Sequence, residues 1–134
     1  MIAVDTSVVV AAFASWHEGH AAASRVVASG PTLPAHVLLE TYSVLTRLPP
    51  PHRAPAPIVA EFLARAFPGA PLALLARAHV KLIGDAVRAG LVGGAIHDAL
   101  IAATAIHAHA RLVTRDRRAV TTYERLGAEY DLLT

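Results

Sequence analysis

Five stretches of the chain have the apolar character of β-strands, and all are short: Ile2–Asp5, Thr32-Leu33, Leu72–Leu75, Arg111–Thr114 and Glu129–Leu133. Longer segments with apolar residues at helical spacing separate them. Strands this short, each followed by a helix, cannot form hairpins; they join by crossovers into a parallel sheet. Such a sheet buries both faces, which demands an apolar chain. Hydrophobic residues make up 54% of the sequence and charged residues 16%, which excludes disorder and supports this reading. The 134 residues correspond to one domain, residues 1–134, in the α/β class. The expectation is a three-layer α/β/α sandwich around a mainly parallel sheet of four to five strands.

The helices are read as follows. Thr6 or Ser7 is the expected N-cap of a helix over Val8–Phe13, and His20–Ser29 is ended by Gly30-Pro31. A helix from Pro34 to about Leu48 carries the stripe Val37, Thr41, Val44, Leu45 and Leu48. The proline-rich "LPPPHRAPAP" is a stiff connector. Ile58–Phe67 and Ala76–Ala89 follow, the latter with Ala76, Val80, Ile83 and Val87 on one side and Gly90 as its stop. Ile96–His109 is apolar nearly all round and should be central and buried. Asp116–Leu126 is a short helix closed by Gly127.

Several function classes drop out. With no cysteine there is neither a disulfide framework nor a thiolate metal site, and a reducing, cytoplasmic setting fits. The N-terminal apolar run lacks a basic region and is broken by Asp5, so it is not read as a secretion signal, and no segment has the length of a membrane span. All basic residues except Lys81 are arginines, which suit bidentate phosphate contacts.

Four acids then stand out. Asp5 ends the first strand, in an apolar run where an isolated carboxylate costs several kcal/mol. Asp116 follows Arg111–Thr114. In a parallel sheet both fall at the carboxyl edge, where ligands bind. Glu40 sits at the flank of its helix's apolar stripe, and Asp98 opens a helix whose Ala102 and Ala105 allow close approach to the sheet. Each has a plainer alternative: Asp98 and Asp116 as helix N-terminal carboxylates, Glu40 as a partner of Arg47 or His36, Asp5 as a cap. Jointly they point to a hard cation, Mg²⁺ or Mn²⁺, and to phosphoryl transfer.

The segments "MIAVDTSVVVAAF", "HVLLETYSVLTRLP", "HDALIAATAIHAHARLVTRD" and "YERLGAEYDLL" resemble the PIN-domain ribonucleases, in particular the VapC-type toxins of bacterial toxin–antitoxin pairs. The resemblance spans nearly the whole chain. It implies a Mg²⁺-dependent single-strand endoribonuclease that leaves a 5′-phosphate and a 3′-hydroxyl, works as a homodimer and binds a VapB-type antitoxin. The family's acidic quartet falls on Asp5, Glu40, Asp98 and Asp116, with Asp5, Asp98 and Asp116 as metal ligands. Its supporting hydroxyls fall on Thr114, Thr6 and Ser7. The sequence departs from the family after Asp116, where "RRAVTTY" delays the aromatic, and at the "HAHA" turn.

Arg115, Arg117 and Arg118 flank Asp116 and are read as RNA-phosphate contacts, with a solvated face as the alternative. His107 and His109 are two apart on one helix and so share no face, which argues against zinc there, while His97 adjoins Asp98. Trp16 and Tyr42 are packing or partner residues before they are base-stacking platforms. Ile58–Phe67 and Val8–Phe13 are the expected dimer and antitoxin surfaces. A haloacid-dehalogenase-type phosphatase needs a second Asp where Ser7 stands, and a receiver domain needs a strand-end lysine, whereas Lys81 lies mid-helix. A silent PIN-like scaffold and a housekeeping PIN nuclease without antitoxin stay open.

Overall fold

A computed structural model describes residues 1–134. Three parallel strands, β1 (Ile2–Val4), β2 (Arg111–Thr114) and β3 (Tyr130–Leu132), pair in the order β1-β2-β3. The expected four to five strands are therefore three. The two missing ones survive as single parallel bridges, Ala3 with Thr32 and Pro34 with Leu72. Proline explains the shortfall. Pro31, Pro34 and Pro71 flank or occupy these segments and offer no N–H to extend a ladder.

Seven helices fill the connections: α1 (Thr6–Phe13), α2 (His20–Ala28), α3 (Ala35–Arg47), α4 (Ala56–Ala66), α5 (Ala76–Ala89), α6 (Ala95–His107) and α7 (Arg117–Leu126). From β1 the chain steps outward through the two bridges by way of α1–α4. It then returns to β2 through α5 and α6 and continues to β3 through α7. Right-handed crossovers in opposite directions place α1–α4 and α5–α7 on opposite faces, giving the three layers. The direction reverses between β1 and β2, so the switch point of the sheet lies between their carboxyl ends. No helix is long and apolar enough to cross a membrane.

The core runs from β1 and β2 into α1, α3, α4, α6 and α7, with Val4, Val8, Val9, Leu45, Val59, Ile101, Leu112 and Tyr123 buried. Ala102 and Ala105 of α6 are fully buried, as close approach to the sheet requires, but the last turn surfaces at Ile106 and His107. Gly90 and Gly127 end α5 and α7 in the left-handed region, at φ 71° and 80°.

Two sequence expectations change here, and the side that α5 buries is settled. The N-cap of α1 is Asp5, whose side chain accepts from the Ser7 amide, so the helix starts at Thr6. The α5 stripe faces solvent: Val80, Ile83 and Val87 are 77%, 58% and 74% exposed, while Leu82 and Ala86 face the core. Val8–Ala12 is core rather than docking surface, and Phe13 packs edge-on against Phe62 at 5.2 Å.

Candidate active site

Thr6, Ser7 and Thr114 fasten the two loops at the switch point. Ser7 Oγ donates to Asp5 Oδ1 at 2.6 Å and accepts from the Arg115 amide at 2.7 Å. Its only proton is thereby committed, so Thr114 Oγ1, 3.4 Å away, donates to it. Thr114 Oγ1 in turn accepts from the Asp116 amide at 3.0 Å. Serine and threonine at these positions tie the end of β1 to the end of β2. Thr6 Oγ1 reaches the other way and donates to Glu40 Oε1 on α3 at 2.9 Å.

These ties set the four acids around one cavity of about 420 Å³, which Asp5, Glu40, Asp98 and Asp116 all line. Each comes from a different element: the end of β1, the middle of α3, the first turn of α6 and the N-cap of α7. Asp116 does cap its helix, accepting from the Arg118 amide at 2.9 Å, so its plainer role is real and coexists with cavity lining. None of the three aspartates joins an ion pair, and Glu40 pairs only with His36, at 3.8 Å.

Uncompensated charge shows in the titration. Burial first, then the carboxylates of Asp116, Glu40 and Asp5, push Asp98 up to about 6. Asp5, 3% exposed, is also raised by burial, while hydrogen-bond donors led by Ser7 pull the other way.

One residue of this site was not anticipated from sequence. Tyr123 is fully buried on α7 and its hydroxyl donates to Asp5 Oδ2 at 2.7 Å. Burial and the Asp5 charge raise its phenol well above the ordinary value, which keeps it a donor. The signal was present as the delayed aromatic of "RRAVTTY", three to four residues from Ala119 and Leu126 on the apolar side of α7. His17 also lines the cavity, its Nδ1 accepting from the Gly19 amide at 2.9 Å.

The three arginines separate. Arg115 lines the cavity, with its buried Nε lacking any hydrogen-bond partner. Its guanidinium lies over Gly19, where a Cβ would come within 2.7 Å of Nη2. Arg117 and Arg118 are exposed in the first turn of α7 and do not line the cavity. Trp16, half exposed, stacks on His52 of the proline connector at 4.0 Å, and Tyr42 is 43% exposed. Beside the cavity, His36 Nε2 and His97 Nδ1 face each other at 3.1 Å.

Comparison with known proteins agrees with this architecture. The sequence profile of the PIN domain matches residues 2–125. Ribonuclease VapC40 of Mycobacterium tuberculosis is 52% identical over 134 residues, covering 100% of both chains. Among solved structures, FitAcB from Neisseria gonorrhoeae has a TM-score of 0.70 at 20% identity, over 97% of this chain and 96% of that one. VapBC2 from Rickettsia felis, bound to a DNA fragment from their promoter, has a TM-score of 0.68 at 18% identity over 100% of both chains. The chain belongs to the PIN-domain family and, within it, to the VapC ribonucleases.

Proposed function

We propose that residues 1–134 form a single nuclease domain that cleaves single-stranded RNA with Mg²⁺, or Mn²⁺ in its place, as the toxin of a toxin–antitoxin pair. The observation that carries this reading is the convergence of Asp5, Glu40, Asp98 and Asp116 on one cavity at the switch point, with none of the three aspartates in an ion pair. PIN nucleases are generally dependent on a divalent metal. The donor set fits a hard ion: it is all oxygen, and Asp98 is raised by burial and then by the neighbouring carboxylates, whose repulsion such an ion offsets. Asp5, Asp98 and Asp116 would hold it. When bound, the cation supplies Lewis acidity toward a phosphodiester and lowers the pKa of a water.

The chain's own groups do the rest. Glu40, fixed through Oε1 by Thr6, lines the cavity wall and orients a water there. Ser7, Thr114 and Tyr123 hold Asp5 and Asp116 in place. Arg115 meets substrate phosphate at the wall, and Arg117 and Arg118 extend that contact outward. The deciding experiment is RNA cleavage by tag-free protein in Mg²⁺ and in EDTA, beside Asp98→Asn. The expected loss in EDTA and in the variant is about 10²-fold or more. Equal cleavage in all three would overturn the reading.

The partner belongs to the same proposal. FitAcB and VapBC2 support a VapB-type antitoxin for this chain; the absence of cysteine fits a reducing, cytoplasmic setting. The exposed α5 face and Ile58 of α4 are the surfaces available to it and to a second copy in a homodimer.

A further inference from the structure

His36 and His97 stand 61 residues apart in sequence, one on α3 and the other in the first turn of α6. Their rings are nearly parallel, 6° apart, with His36 Nε2 and His97 Nδ1 separated by 3.1 Å. Glu40 follows His36 by one helical turn, and its Oε2 lies 3.8 Å from His36 Nε2. The three donor atoms all fall within 4.8 Å of one another. Oε1 of Glu40 is engaged by Thr6, so Oε2 is the oxygen left for this side. All three residues line a cavity of about 360 Å³ next to the acidic one, and His97 is exposed, so a solvated ion can enter.

Two imidazole nitrogens on a tetrahedral zinc lie about 3.3 Å apart, given Zn–N distances of about 2.0–2.1 Å. The observed 3.1 Å is near that spacing. Two imidazoles and one carboxylate are a borderline donor set. It suits zinc and its neighbours, and it discriminates against Mg²⁺, which wants oxygen alone. Three protein ligands leave a fourth position open. We infer that His36, Glu40 and His97 form a second metal site, selective for Zn²⁺ and distinct from the Asp5–Asp98–Asp116 set. The ion displaces the proton that the two facing nitrogens otherwise share.

The site shares Glu40 with the acidic cavity. Zinc on Oε2 offsets the charge of Glu40 and pins it at the rim, which weakens the neighbouring site's hold on a hard cation. Zn²⁺ is therefore an inhibitor of Mg²⁺-dependent cleavage. That consequence rests on the nuclease reading; the metal site does not.

The test uses tag-free, EDTA-stripped protein titrated with ZnCl₂ by calorimetry and with CoCl₂ by absorption. One equivalent of Zn²⁺ per chain is expected, with the intense visible bands of four-coordinate Co²⁺. His36→Ala and His97→Ala should each weaken Zn²⁺ binding by at least about tenfold, relative to the 10- to 100-fold usual for lesser changes around a metal. His109→Ala should leave it unchanged. Zn²⁺ should slow RNA cleavage by the wild type and not by His36→Ala or His97→Ala, which keep their Mg²⁺-dependent activity. Absence of zinc uptake, an octahedral aqua-like Co²⁺ spectrum, or unaltered binding in both histidine variants would overturn the site. The Co²⁺ spectrum needs no variant and decides the matter if either substitution unfolds the chain. Zinc uptake without RNA cleavage by the wild type sustains the site and removes the nuclease reading instead.

Discussion

Tyr123 Oη and Asp5 Oδ2 are 2.7 Å apart in the buried floor of the acidic cavity, and Asp5 Oδ1 takes the Ser7 hydroxyl and amide. Both oxygens of the first acid are thus oriented by the protein before any ligand arrives. Removing the phenol leaves a desolvated carboxylate oxygen unpaired, at a cost of about 1–3 kcal/mol. Tyr123→Phe is expected to lower the melting temperature and to reduce cleavage without abolishing it, and Mg²⁺ should recover part of the lost stability. Thermal denaturation with and without Mg²⁺, beside an RNA-cleavage assay, checks this; an unchanged melting temperature would show that the bond contributes nothing. The same geometry bears on Asp5 itself. Asp5→Ala removes the cap of α1 as well as a charge, so its loss of activity mixes folding with chemistry. Asp5→Asn keeps the acceptor toward Ser7 and can donate to the Tyr123 oxygen, which makes it the cleaner probe.

Helix starts and sheet ends supply three of the four acids, and that explains what could be read in advance. Asp5 and Asp116 follow strands whose apolar runs are plain, and Asp98 precedes the small residues Ala102 and Ala105, so all three were legible. Thr32-Leu33 and Leu72–Leu75 read as strands, but neighbouring prolines limit them to single bridges. Periodicity located the α5 stripe but left its side open, because an apolar helix face reads the same whether it meets a core or a partner. Tyr123 and the His36–His97 pair depend on contacts 118 and 61 residues distant, which no local pattern encodes. Two predictions follow at this scale. Asp116 caps α7 and lines the cavity. Asp116→Asn should keep the cap and most of the stability while losing cleavage, whereas Asp116→Ala should lose both, with about 1 kcal/mol for the cap. Equal melting temperatures for the two would remove the capping role. On α5, Val80→Glu with Val87→Glu should cost the monomer within about 0.5 kcal/mol, since both side chains are exposed. Light scattering should show the proposed homodimer giving way to monomer; a persistent dimer would place the interface elsewhere.

For the whole molecule, the acid cluster makes stability depend on protons and on metal together. Asp98 has a pKa of about 6 in the folded chain against an ordinary 3.8, so between those values the folded state holds a proton that the unfolded state has released. Stability of the metal-free protein from this group therefore falls as pH rises from about 4 to 6, and the full penalty applies above 6. Asp5, also raised, acts in the same direction. A divalent cation binds the ionised form and reverses the penalty, contributing about 2.7 kcal/mol at a hundred times its Kd. For a domain of this size that is a rise of several degrees. Three outcomes are expected in melting experiments across pH 5 to 7.5. In EDTA, the difference between Asp98→Asn and wild type should favour the variant at pH 7.5 and shrink toward pH 5, and taking that difference isolates Asp98 from groups common to both proteins. In Mg²⁺, the wild type should gain most at pH 7.5 and least at pH 5, where protons compete for the carboxylates. Asp98→Asn should gain little from Mg²⁺ at any pH. A Mg²⁺ shift that is absent, or that is the same at both ends of the range, would mean that Asp5, Asp98 and Asp116 do not act as one cation site.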